Sequence, residues 1–270
     1  MVRPTLLAVV ACACLFGDLW SEQSYAQQHT PTLEPSLGAV VEDLVVANHI
    51  LADQGVVDGF GHISARHPTR PDHFLMSRSV APALVRRDDI LEFDRDGEPV
   101  DARGRQVFLE RFIHSAIYRV RPDVQSVVHT HSPAVIPFSV SQVPMRATFH
   151  LAAFLSSGVP VFEIREAGGM TDLLVRNDQL GSALATALGE HAVALMRGHG
   201  DVVVGPTIPM AVFRAVYTEV NARIQAQAIT LGGTVTYLEP EEGRQASRAV
   251  DQIHMRAWDL WKRKESNPHP

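Results

Sequence analysis

Gln125-Ser126-Val127-Val128-His129-Thr130-His131 is the stretch on which the fold of this chain turns. The apolar run ahead of the histidines reads as a short buried strand. Side chains alternate along a strand, so His129 and His131 project to one face, about 6–7 Å apart along the chain. Two imidazoles so placed can grip one metal ion; the plainer alternative is two unrelated polar residues where a strand surfaces. Two more groups of ligand type stand in matching contexts, Glu110 upstream and His199 in Arg197-Gly198-His199-Gly200 downstream. Three neutral imidazoles and a carboxylate suit a borderline divalent ion such as zinc, manganese or cobalt. Such an ion acts as a Lewis acid in hydrolysis, retro-aldol cleavage and decarboxylation alike.

Working outward, Ser36 is placed to cap a helix whose apolar residues Val40, Val41, Leu44, Ala47 and Leu51 recur at three-to-four spacing and which ends near Gly55. Gly59-Phe60-Gly61-His62-Ile63-Ser64 opens a strand, Phe74-Leu75-Met76 and Ile90-Leu91-Glu92-Phe93 read as two more, and Asp94-Arg95-Asp96-Gly97 supplies a hairpin turn. Residues 109–120 read as a helix with Glu110 near its start, and Ser132-Pro133 as the cap of another. Residues 159–164, 192–196 and 202–204 are strand candidates, with an Asn177-capped helix between the first two. A long helix covers residues 209–231 and is closed by Gly232-Gly233; one last amphipathic helix ends in Trp258 and Trp261, read as core or subunit interface. Glu219 and Glu242 read as surface charges, and His67, His114 and His269 carry no assignment. Strands and helices alternate without a regular βαβ rhythm, so the expected fold class is α/β, a mixed central β-sheet with helices on both faces. No phosphate-cradling glycine motif follows a strand.

The first residues are set apart from the fold. Arg3 followed by an almost wholly apolar run over residues 6–17, then Ser24-Tyr25-Ala26, has the pattern of a secretory signal peptide cleaved after residue 26. A lipoprotein signal at Cys12 is the alternative. The expected organisation is therefore a signal over 1–26, a polar segment over 27–35 and one domain over 36–265. Both cysteines, Cys12 and Cys14, fall in the leader, so the mature chain has no disulfide, thiolate ligand or cysteine nucleophile. The expected location is periplasmic or secreted, or cytoplasmic if translation starts elsewhere. Losing Arg3, Asp18 and Glu22 with the leader changes the formal charge from −6 to −5. No basic cluster with interleaved aromatics supports nucleic-acid binding, and no membrane span is expected once the signal is removed.

Glu110-Arg111-Phe112-x-His114, then Arg121-Pro122-Asp123-x-x-Ser126-Val127-Val128-His129-x-His131, then Gly198-His199-Gly200, resembles the class II aldolase/adducin family over residues 37–240. The resemblance implies a three-layer α/β/α sandwich, assembled as a ring-shaped homotetramer with active sites between subunits. It implies His129, His131 and His199 as metal-binding histidines, with Glu110 ligating the metal or moving a proton. The cofactor implied is one divalent ion per chain, Zn2+ or Mn2+. Sugar-phosphate aldolases of the family carry a serine pair before the glutamate, where this chain has Val107-Phe108-Leu109. They also place a tyrosine after the histidine matching His150, where Leu151 stands, and an asparagine on the loop at His62.

What stands instead, Phe60-Gly61-His62-Ile63-Ser64-x-Arg66-His67-Pro68 with Ser77-Arg78-Ser79-x-Ala81-Pro82, looks like the branch that decarboxylates hydroxylated aromatic or pyridine dicarboxylates. In that chemistry, adjacent hydroxyl and carboxylate groups chelate the metal, loss of CO2 leaves electron density that the polarised oxygen absorbs in an enolate-like intermediate, and an acid protonates the ring carbon. Glu110, His150 and His62 are the candidate acid–base groups. Arg78, which can hold a carboxylate through paired hydrogen bonds, Ser79 and Ser64 are the candidate substrate contacts. The expected function is a metal-dependent lyase acting on a small carboxylate, decarboxylation being favoured over retro-aldol cleavage of a hydroxy-carbonyl substrate. A non-catalytic, adducin-like interaction module and a metal-dependent hydrolase are the remaining alternatives.

Overall fold

Alternation along the central strands divides the sheet's side chains between two helical layers. The computed structural model describes residues 35–266 and Met1; the signal assignment, the polar segment to residue 34, both cysteines and His269 lie outside the described residues. Seven strands among the described residues, β1 (His62–His67), β2 (Arg70–Ser77), β3 (Ile90–Phe93), β4 (Ser126–Thr130), β5 (Val161–Phe162), β6 (Val193–Met196) and β7 (Gly200–Gly205), form one sheet in the order β3-β2-β1-β4-β7-β6-β5. Neighbours run antiparallel except β5 and β6, so the sheet is mixed.

One face turns Ile63, Ala65, Leu75, Val128, Leu195 and Val203 into a core shared with α1 (Leu37–Asp53), α6 (Ile208–Thr230) and α8 (Met255–Ser266). The other turns Phe74, Met76, Val127, Ala194, Val202 and Val204 toward α2 (Arg111–Val120) and α5 (Asp178–Leu188). This is the three-layer α/β/α sandwich. Strand β4 lies at its centre, and β1 pairs with it so that His62 opposes His129 and Ser64 opposes Val127. Directly opposed residues share a face, so His62, Ser64 and His129 all turn toward α2.

Local signals hold where chemistry is local. Ser36 caps α1 by accepting from the Ala39 N–H, and Asn177 caps α5 by accepting from the Leu180 N–H. Gly232 and Gly233, both at positive φ, follow the end of α6. Elsewhere the structure differs from the sequence reading. The strand expected over 159–164 is reduced to β5, because the Glu163 carboxylate accepts from the Arg165 N–H and starts α4 (Ile164–Gly168). Ser132 does not cap the short α3 (Ile136–Val140); its hydroxyl donates to the Glu219 carboxylate instead. Glu219 is accordingly buried rather than a surface charge, and also accepts from the Ala134 N–H and Arg223. The last amphipathic segment is two helices, α7 (Pro240–Asp251) and α8, and both tryptophans bury in the latter. No helix among the described residues is long and apolar enough to cross a membrane.

The α2–α5 contact sets how closely the lower layer fits. A methyl group on Gly181 of α5 would lie 2.4 Å from the Phe112 carbonyl oxygen and 3.1 Å from the Ala116 Cβ. Gly181→Ala should therefore lower stability in urea unfolding by about 1–3 kcal/mol through overpacking. The exposed Thr186→Ala on the same helix should stay within about 0.5 kcal/mol.

Candidate metal centre

Glu110, His129, His131 and His199 meet where β4 ends beside the β6–β7 turn, with one donor atom from each lying within 4.8 Å of all the others. Each arrives by a different local device. His129 is held by β4 pairing on both sides, and His131 lies just beyond the strand's end. His199 rides a tight turn between β6 and β7 that Gly198 permits at φ +66°. At Gly200 a Cβ would come within 1.8 Å of the Thr130 carbonyl oxygen, so only glycine lets the two strand ends close. Glu110 occupies the N-cap position of α2.

Neighbouring backbone decides which atoms face inward. His129 Nδ1–H donates to the Asp201 carbonyl at 3.0 Å and His199 Nδ1–H to the Leu173 carbonyl at 3.0 Å. Nε2 is thereby the atom each ring turns inward, toward the cluster and Glu110 Oε2, and in the neutral tautomer it is the bare nitrogen a metal ligand needs. Leu173 has φ +71°, uncommon for a residue with a side chain, so backbone strain accompanies its role as acceptor. Two residues on, the Val175 N–H donates to Glu110 Oε1 at 2.9 Å. The loop before α5 thus orients two members of the cluster.

The Nε2 of His131 lies 3.2 Å from that of His129 and 3.0 Å from that of His199, and Glu110 Oε2 is 3.4 Å from both His129 and His199. Bonds of about 2.0–2.1 Å at tetrahedral angles separate zinc ligands by about 3.4 Å, so the spacing fits a four-coordinate borderline ion. Convergent lone pairs on bare nitrogens repel one another, and a shared cation removes that cost.

Burial, then the charges of His129 and His199, lower the His131 imidazole to about 4. Burial works to raise the Glu110 carboxyl, but the charge and hydrogen bonds of His129 and His199 prevail and hold it well below the usual carboxylate range. Burial opposes charge on His199, yet its bond to Glu110 and that carboxylate's charge raise it.

The other expected site residues are placed differently. His62 is buried, 5.1 Å ring to ring from His129 and 4.5 Å from Phe108. Ser64, expected to touch substrate, is fully buried; its hydroxyl lies 2.6 Å from His114 Nδ1 and 2.8 Å from the Tyr118 hydroxyl, so it supports His114 instead. Arg78 stands one residue past the end of β2, whose pairing with β1 reaches Ser64–Met76. Its Nε donates to Asp89 at 2.6 Å and its side chain is 36% exposed, leaving the outer guanidinium nitrogens open. Ser79 is exposed and tied by its backbone N–H to the Gln106 carbonyl. His150 does not join the cluster: it is exposed and opens the 3-10 segment His150–Ser157, whose Ala152 and Leu155 pack into the α1–α6 core on the other face of the sheet.

Sequence reasoning missed His114 and Tyr118. Glu110, His114 and Tyr118 recur every four residues and so form a polar stripe on one face of α2, which was the available signal. It also missed the apolar wall made by Phe108 beside His62 and by Phe60, whose ring lies 6.1 Å from that of His131.

Residues 42–226 match the model of the class II aldolase and adducin N-terminal domain. The chain is 37% identical over 246 residues to decarboxylase tropJ of Talaromyces stipitatus, covering 83% of this chain and 92% of that protein. It is 30% identical over 209 residues to a 3,4-dihydroxyphthalate decarboxylase of Arthrobacter keyseri, covering 72% and 80%. Among solved structures, an L-fuculose 1-phosphate aldolase from Glaciozyma antarctica superposes with a TM-score of 0.69 at 23% identity, covering 84% of this chain and 90% of that one, a likeness of fold.

Half-exposed His131 is the ligand candidate most easily removed without disturbing the core. His131→Ala should leave thermal unfolding cooperative while lowering zinc affinity, measured by competition with a chelating dye, more than about a hundredfold, since even outer partners of metal ligands are worth about 10–100-fold. Undiminished affinity would place the ion elsewhere.

Proposed function

The chain belongs to the class II aldolase and adducin family, and on that footing we propose that it is a divalent-metal-dependent lyase that decarboxylates a hydroxylated aromatic or heteroaromatic carboxylate. The observation that carries the reading is the aromatic wall: Phe108, with its ring 4.5 Å from His62, stands beside an intact four-residue ligand cluster. A flat ring fits against Phe108 and Phe60, whereas Val107-Phe108-Leu109 offers a sugar phosphate no side-chain donor. The identity to two proteins named as decarboxylases supports the same choice over aldol cleavage.

In this proposal Glu110, His129, His131 and His199 hold zinc or manganese. The ion would polarise the substrate's chelating oxygens and so make the departing carboxylate's electron pair easier to accommodate. The protein's own groups do the rest. Phe108 and Phe60 align the ring and exclude water from one side of it. Arg78 directs its free guanidinium nitrogens at a second carboxylate. Loss of CO2 leaves an electron pair on a ring carbon that must take a proton, and in this proposal His62 gives it and takes one back at Nδ1 from His114.

Assembly as a ring-shaped homotetramer with sites between subunits belongs to the same proposal. In such a ring an exposed His150 and Ser79 can serve a neighbouring site, and light scattering tests it. Export by the N-terminal signal is proposed from the sequence alone, and N-terminal sequencing of the native protein tests it.

Supplied with manganese or zinc, the protein should release CO2 from 3,4-dihydroxyphthalate or a related hydroxylated aromatic acid, and a chelator should abolish the activity. Aldehyde formation from fuculose 1-phosphate, with no CO2 from any aromatic acid, would overturn the reading in favour of an aldolase. Arg78→Ala should raise KM for a dicarboxylate about 10–100-fold, the worth of a charged hydrogen bond, and leave kcat within a few-fold.

A further inference from the structure

Between the sheet and α2 runs a chain of four buried polar side chains that the ligand cluster does not use. His62 Nδ1 lies 2.7 Å from His114 Nε2, His114 Nδ1 lies 2.6 Å from Ser64 Oγ, and Ser64 Oγ lies 2.8 Å from the Tyr118 hydroxyl. All four residues are buried, Ser64 and His114 completely. No water or solvent-facing group needs to be invoked to complete the bonds, so the directions can be worked out in turn.

The far end fixes the direction. Burial holds the Tyr118 phenol protonated by raising it above its ordinary value, and a buried phenol O–H needs an acceptor. The phenol must therefore donate its own hydrogen, and its hydroxyl neighbour is Ser64. Having accepted from Tyr118, Ser64 gives its hydrogen to His114 Nδ1. His114 is neutral, pushed down to about 3 by burial and then by the charge of His129. An imidazole that is neutral and accepts at Nδ1 carries its hydrogen on Nε2. That hydrogen goes to His62 Nδ1. The opposite direction would leave a buried phenol O–H without its acceptor, which native structures avoid.

We propose that Tyr118, Ser64 and His114 are positioning residues that hold His62 as its Nε2–H tautomer, presenting a hydrogen-bond donor beside the ligand cluster. His62 packs against His129 and Phe108 and bonds through Nδ1 to His114, so Nε2 is its free nitrogen. The donor is of the kind a substrate carboxylate accepts from, and His62 can pass its hydrogen to the vacated ring carbon as His114 hands its own to His62 Nδ1 and is replenished through Ser64 from Tyr118. That catalytic consequence rests on the decarboxylase reading; the tautomer itself does not.

The test is a long-range proton–nitrogen correlation spectrum of the full chain labelled with 15N-histidine and loaded with zinc, with the His62 signals identified by their loss in His62→Gln. The expected result is a bare Nδ1 and a protonated Nε2 on His62. Ser64→Ala, a small change, should convert His62 to a mixture of tautomers and lower kcat about tenfold or more, with zinc content and KM unchanged. Tyr118→Phe should move both readouts in the same direction by less, because Ser64 can still donate to His114. A wild-type His62 protonated at Nδ1, or a single unchanged tautomer in both variants, overturns the proposal. If the spectra are as expected while no aromatic acid is decarboxylated, the function is wrong and the tautomer assignment stands.

Discussion

Three imidazole lone pairs and one carboxylate brought to within hydrogen-bonding distance of one another are the constraint around which this structure is arranged. The Nε2 atoms of neighbouring histidines face each other at about 3 Å, and one shared cation satisfies all of them at once. Holding them there takes rigid backbone on every side, which the sheet supplies. β4 is paired with β1 and β7, Gly200 lets the ends of β4 and β7 approach, and the loop at Leu173 and Val175 fastens His199 and Glu110 from the α5 side. A site built on strand ends and braced by backbone groups keeps its geometry better than one built on loops alone.

The same face of the sheet carries more polar side chains than its position in the core would suggest. His62, Ser64, His114 and Tyr118 bond to one another, which is how a buried polar group avoids the cost of desolvation. On the opposite face Thr130 donates to Asp201, which burial raises to about 7, and Ser132 donates to Glu219. Polar networks therefore back the strand end that bears His129 and His131 from both sides. The apolar cores of the two layers lie outside this spine and contribute stability rather than chemistry.

What the sequence revealed and what it hid follow the range of the forces involved. The α1 and α5 caps and the alternation of β4 depend on residues a few positions apart, so they are legible. The ligand set was legible because His129 and His131 mark a strand end and Glu110 and His199 are ligand types in matching contexts, to which the family resemblance gave roles. Glu219 was misread because its burial depends on Ser132 and Ala134, far away in the chain, arriving to donate to it. The strand expected over residues 159–164 failed for a nearer reason: Glu163 competes for the backbone and turns the chain into a helix. Ser64 was read as a substrate contact within the stretch that resembles the decarboxylase branch, but strand alternation sends it with His62 toward α2, where His114 meets them. His150 was placed by resemblance, and within one chain it belongs to the other layer.

The central claim is that these four side chains hold one divalent ion. Anomalous diffraction from crystals soaked in zinc, collected on both sides of the metal's absorption edge, tests it most directly. The account predicts one peak per chain, about 2.0–2.2 Å from Nε2 of His129, His131 and His199 and from an oxygen of Glu110. A peak held by other residues, or none at a zinc concentration that saturates binding in solution, would contradict it.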